Sequence, residues 1–162
     1  MPKVHKHVAY HEAGHAVARV YVGAQPTAVE TRADGGGTSY GTSQQWESSR
    51  KGQYAAWDLV LYSLAGPRAE ARISRTAYVV IVLTSGREDY ESAKPVIRWL
   101  IQHGFADGEK AAWHRAEEEV RQFMRTHWPH ICRVADALMS RGRLEGPEVV
   151  QIVGQRLAVC PH

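Results

Sequence analysis

Tyr10-His11-Glu12-Ala13-Gly14-His15-Ala16-Val17 is the stretch from which the fold and the chemistry of this chain are read outward. Residues four apart on an α-helix share a face, so His11 and His15 can turn both imidazoles toward one ion. Glu12 is rotated by about 100° from His11, which lets its carboxylate reach water on that ion without becoming a ligand itself. Gly14 carries no side chain, so another backbone or a substrate can approach closely there. The spacing predicts a hydrolytic metal site on a helix, with His11 and His15 as ligands and Glu12 as general base. With 9 histidines in 162 residues, a satisfied structural pair is the competing reading. The flanks favour the metal, because Val8, Ala9, Ala13, Ala16, Val17 and Val20 recur at helical spacings and predict a helix that can be buried.

Composition sets the frame around this helix. A length of 162 residues predicts one domain over residues 1–162, large enough for a sizeable core. Hydrophobic residues at 44% and charged residues at 23% are ordinary for a globular chain and exclude disorder. No window approaches the roughly 18 apolar residues of a membrane span, and the stretch after Met1 lacks a charged-then-apolar leader, so a cytoplasmic location is expected. Cys132 and Cys160 form no CxxC and imply no disulfide framework. The net charge of +3 is spread among alternating acids and bases, which argues against nucleic acid.

Taken in order, the first helix is expected over 7–22, closed by Gly23 and Pro26. His5 and His7 precede it as solvated residues or extra ligands. Over 27–32 the residues alternate, placing Thr27, Val29 and Thr31 on one face. The Asp34-Gly35-Gly36-Gly37 cluster then predicts a hairpin with a polar, edge-like return strand over 38–44. Within it Ser39, Tyr40 and Gly41 either face solvent or hold an extended peptide by strand addition. After a loop over 46–52, a second helix is expected over 53–65, interrupted by Gly66-Pro67 and resuming over 68–74. Glu70 falls in an Ala-rich stretch where an exposed position is expected, with orientation of a metal-bound histidine as its alternative.

Tyr78-Val79-Val80-Ile81-Val82-Leu83-Thr84 is β-branched or aromatic almost throughout and reads as a strand or buried extended segment. A helix follows over 88–102, with Pro95 expected to kink it and Gly104 to end it. Asp107 is the expected N-cap of a long helix to Trp128 that buries Trp113, Val120, Phe123 and Met124. Pro129 marks a kink or restart, a further helical stretch covers 131–141, and a last helix starts near Gly146-Pro147.

A catalytic zinc usually has three protein ligands, and no histidine shortly after His15 supplies the third. The chain as a whole resembles the peptidase domain of the FtsH family of membrane-bound, ATP-dependent zinc proteases. His11-Glu12-Ala13-Gly14-His15-Ala16 is similar to the family's zinc motif, and Val22-Gly23-Ala24-Gln25-Pro26 with its hairpin to the family's turn and substrate-side strand. Leu64-Ala65-Gly66-Pro67-Arg68-Ala69-Glu70 looks like its Gly-Gly-Arg-Ala-Ala-Glu junction. Thr84-Ser85-Gly86-Arg87-Glu88-Asp89 looks like the segment whose last aspartate is the third ligand, and Leu144-Glu145-Gly146 with Glu148-Val149 like the closing helices.

The resemblance implies a mainly helical, α+β, zincin-like domain with a small hairpin, and Zn²⁺ held by His11, His15 and Asp89. Where the family has Asn this chain has Glu88, the alternative ligand. It also implies a zinc metalloendopeptidase acting on unfolded or short polypeptides, with Ser39, Tyr40 and Gly41 along the substrate. No Walker-type loop occurs, so neither the ATPase nor the membrane part of the family is expected, and a separate unfoldase is the implied partner. A non-catalytic peptide-binding or regulatory module that keeps this helix is the alternative function.

Overall fold

Helix α1 (Lys6–Tyr21) is the centre of the molecule: every residue from Val8 to Arg19 is buried. It is found in a computed structural model that describes residues 5–24, 26–31, 37–41 and 52–154. A helix apolar on one face only cannot be enclosed in this way, but Ala9, Ala13, Ala16 and Ala18 let neighbours close in from several sides. Those neighbours are chiefly α2 (Gln53–Ser74) and α5 (Glu109–Arg141). At the crossing with α2, a Cβ added to Gly14 would lie 2.6 Å from the Ala65 carbonyl oxygen and 3.0 Å from Ala69 Cβ. The approach that glycine was expected to admit is therefore that of another backbone.

Three local expectations give way to packing. Helix α2 does not break at Gly66-Pro67 but runs unbroken through both residues. Ala65, Gly66, Pro67 and Ala69 are all buried, and packing on that scale offsets the roughly 3 kcal/mol cost of an internal proline. The segment Tyr78–Leu83 is a short helix, α3, rather than a strand. No strand lies alongside it among the described residues, and it satisfies its backbone locally, with Val80 N–H donating to Ala77 O (2.9 Å) and Thr84 Oγ1 to Val80 O (2.7 Å). Helix α5 likewise passes Pro129 without a restart, and Gly108, not Asp107, occupies its N-cap with no side-chain cap. Its stripe of Ala112, Ala116, Val120, Phe123, Ile131 and Leu138 is buried, Trp113 is half-buried, and Gly142 closes the helix at φ +74°.

Helix α4 (Arg87–Gln102) contains Pro95 and packs on α2 and α5; Gly104, at φ +73°, follows its end. The expected hairpin is present as antiparallel β1 (Pro26–Thr31) and β2 (Gly37–Gly41); Arg32, residues 42–44 and the loop before Gly52 lie outside the described residues. A third strand, β3 (Arg143–Glu145), pairs with the other edge of β1 to give the order β2-β1-β3. The expected face of Thr27, Val29 and Thr31 is formed in part: Val29 and Thr31 are buried, but Thr27 is exposed and Ala28 is buried, where the β1–β2 register shifts between Pro26 and Ala28. Helix α6 (Gly146–Gly154) leaves β3 at once, and its first glycine sits on β1 so tightly that an added Cβ would be 1.8 Å from Pro26 O. No described helix is long and apolar enough to cross a membrane.

Candidate metal centre

His11 and His15 project from the buried middle of α1, and Asp89 reaches them from the first turn of α4. The three inner contacts form a small triangle. His11 Nε2 is 3.1 Å from Asp89 Oδ2, His15 Nε2 is 3.2 Å from Asp89 Oδ1, and the two Nε2 atoms are 3.1 Å apart. Glu88, the alternative ligand, is exposed and outside this group, as are His5 and His7, whose rings face one another at 5.6 Å.

The outer nitrogens decide what the inner ones are. His15 Nδ1 lies 2.9 Å from the Tyr62 carbonyl oxygen, which can only accept, so this nitrogen carries the proton. His11 Nδ1 lies 2.8 Å from Glu70 Oε2 and donates to that carboxylate. With both imidazoles committed outward, their Nε2 atoms present lone pairs to each other and to the oxygens of Asp89. One proton can bridge one edge of such a triangle, whereas a cation at its centre satisfies all three. Ligands placed about 2.0–2.1 Å from a tetrahedral ion stand roughly 3.3 Å apart, close to the edges found here. His11, His15 and Asp89 therefore form a group able to hold a metal ion.

The charges respond to the same arrangement in the metal-free protein. Burial alone would lower the His11 pKa, but hydrogen bonds to Asp89 and Glu70 and the charges of Asp89 and Glu12 raise it to about 10. For Asp89, burial works upward and is outweighed by His15 and His11, which hold the carboxyl well below the usual carboxylate range. Glu70 is also lowered: burial opposes the shift, and hydrogen bonds from His11 and Ser85 drive it.

Behind the triangle stands a supporting layer that the sequence revealed only in part. Glu70 is buried, contrary to the exposed position expected for it, because its Oε2 accepts from His11 and its Oε1 from Ser85 Oγ at 2.8 Å. Its contact with His11 is the one that its alternative, orientation of a metal-bound histidine, requires. Gly66 was read only as a helix breaker. A Cβ there would lie 2.2 Å from His15 Nε2, so this glycine is the surface on which the ligand ring rests. Tyr62 supplies its carbonyl to His15 Nδ1 and its ring at 4.8 Å from the imidazole. Pro67, without an amide, leaves no helical donor for the Ser63 carbonyl beside it. Ser85 and Tyr62 carried no signal of their own, since a hydroxyl and a main-chain carbonyl become specific only when α1, α2 and α4 are packed.

Glu12 is buried next to His11 on α1, near enough for its charge to raise the His11 pKa. Of the three ligand candidates Asp89 is the most accessible, with 26% of its side chain exposed against 11% for His11 and 5% for His15, so the site opens on the α4 side. Ser39, Tyr40 and Gly41 lie on β2, opposite Val29, Ala28 and Pro26, on a strand with one neighbour in the described sheet and in contact with α1. No protein-family model matches this chain, and no curated protein is significantly similar to it.

Proposed function

We propose that the chain is a zinc metalloendopeptidase with a zincin-like domain resembling the FtsH peptidase domain. The observation that carries this reading is the triangle of two imidazole lone pairs and one carboxylate, with each imidazole fixed from behind. Two nitrogens and one oxygen donor match the ligand chemistry of hydrolytic zinc, and three protein ligands leave a position open. A zinc ion there supplies a Lewis acid that polarises a peptide carbonyl and makes water more acidic. His11, His15 and Asp89 hold it, and Glu70 and Tyr62 keep the two rings in their ligating tautomers.

Glu12 receives the proton of the attacking water at its carboxylate and passes it to the leaving amine as the C–N bond breaks. Its burial favours that exchange by keeping competing water away. An extended polypeptide lies along Ser39, Tyr40 and Gly41, whose strand is an edge of the described sheet. A folded protein cannot present such a segment, so substrates are unfolded or short chains, or are delivered by a separate unfoldase.

Two measurements test this reading. Metal analysis of protein purified without a histidine tag should find close to one zinc per chain, and protein without metal rules out the centre. Casein should be cleaved, with loss of cleavage in chelator, while Glu12→Gln should keep zinc and lose hydrolysis. Full cleavage by that variant rejects the assigned base, and zinc binding without any cleavage points instead to a non-catalytic module.

A further inference from the structure

A second concentration of polar groups lies between α2, the start of α3 and α5. Here a cleft of about 350 Å³ is lined by four arginines, Arg68 and Arg72 from α2 and Arg121 and Arg125 from α5. Each pair is four residues apart on its helix, so like charges share a face on both sides of the cleft, an arrangement that costs stability unless something negative lies between. The nearby acids compensate only in part. Glu117 pairs with Arg68, and Glu118 lies 3.6 Å from Arg121 and 3.4 Å from Arg125, so two carboxylates stand against four guanidiniums. Among the described residues Arg72 donates only a long hydrogen bond, 3.4 Å, to Met124 O, and it lies over the Trp128 ring.

Two further donors are buried in the wall of this cleft. Arg68 lies over the Tyr78 ring, its Cζ 3.5 Å from the ring centre. Arg68 Nε and Tyr78 Oη are both buried and have no hydrogen-bond partner among the described residues. Burying such groups unpaired is costly. Burial, opposed by Arg68, pushes the Tyr78 hydroxyl up to about 12, which keeps it a donor at neutral pH. The Arg68 guanidinium is lowered, first by burial and also by the charge of Arg121.

We propose that this cleft binds a small phosphomonoester, its phosphate held by the arginine guanidiniums. A dianion matches the excess of two positive charges, which a single carboxylate does not, and guanidinium forks suit phosphate oxygens. The volume is that of a small-molecule site, and Ala71 and Met124 give the organic part an apolar wall. None of these groups is a candidate metal ligand, so the assignment stands apart from the proposed peptidase activity.

Calorimetric titration of the full chain with inorganic phosphate, glycerol 3-phosphate and acetate at matched ionic strength tests it. Both phosphates should bind saturably at one site, with acetate at least about tenfold weaker. Arg72→Gln and Arg125→Gln should each weaken phosphate binding by about tenfold. Absence of saturable binding, acetate binding as tightly as phosphate, or variants that bind like the unaltered chain would overturn the proposal.

Discussion

Replacing Gly66 with alanine sets two opposed effects against each other. On helix propensity alone the change should stabilise α2 by about 1 kcal/mol, since glycine is the poorer helix former. The structure predicts the reverse. The new Cβ would lie 2.2 Å from His15 Nε2, 2.6 Å from Cδ2 and 2.7 Å from Cε1. Ordinary contact requires about 3.5 Å or more, so the ring must retreat by more than roughly 1 Å. It has little room, because its Nδ1 is tied at 2.9 Å to Tyr62 O on the same helix and its side chain is only 5% exposed.

Overpacking of this kind costs about 1–3 kcal/mol, enough to offset the propensity gain and leave the metal-free variant about 0–2 kcal/mol less stable. A shift of that size also takes Nε2 out of a triangle whose edges are 3.1 and 3.2 Å. Loss of an outer support alone weakens a metal site by about 10–100-fold, so displacing a ligand should weaken zinc by at least 100-fold. Zinc competition with a chromogenic chelator and urea unfolding measure the two effects. In a His15→Ala background the clash disappears, and Gly66→Ala should there be neutral or stabilising, giving a coupling of about 1–3 kcal/mol. A Gly66→Ala protein that binds zinc like the unaltered chain and unfolds later would refute the seat assigned to this glycine.

Other expectations concern the groups around the triangle. Glu70→Ala removes the acceptor of His11 Nδ1 and should lower zinc affinity by about 10–100-fold, with Ser85→Ala having a smaller effect in the same direction; equal affinity in both would remove their supporting role. The metal-free protein should show a stability window set by His11 and the two acids. His11, raised from 6.5 to about 10, contributes fully below pH 6.5, and its contribution is lost as the pH rises through about 10. Asp89 and Glu70, both lowered, contribute above their ordinary values of 3.8 and 4.5 and lose that contribution as the pH falls through their folded values. Denaturant midpoints between pH 3 and pH 10.5, compared with His11→Gln, should show the alkaline loss only in the unaltered chain. Gly146→Ala forces a Cβ to within 1.8 Å of Pro26 O, a backbone atom that cannot yield, and should cost about 2 kcal/mol or more in thermal or denaturant unfolding.

How much of this could be read from the chain depends on how local each signal is. His11, Glu12 and His15 were legible because helical spacing alone puts two imidazoles on one face. Asp89 had no local mark and entered only through the resemblance of its segment, since a candidate ligand 78 residues from its partner is defined by packing. Tyr78–Leu83 misled because β-branched composition reflects a preference of only about 1 kcal/mol, realised only where a neighbouring strand exists. Gly66-Pro67 and Pro129 misled for a related reason: proline is a breaker in isolation, yet burial of the surrounding turns holds both helices together. The strand β3 is three residues long and has no periodicity to detect.

The sequence distance between Asp89 and His11 also bears on how the protein reaches its folded state. Joining points 78 residues apart costs about 4 kcal/mol of chain entropy before any contact rewards it. The histidine pair, four residues apart, needs only one helix and can form early. On the proposed zinc assignment, metal added during refolding would therefore meet a two-ligand intermediate well before the third ligand arrives. Its uptake in full coordination then serves as a clock for the docking of α4, a late event that a spectroscopic metal such as cobalt would make visible in stopped flow.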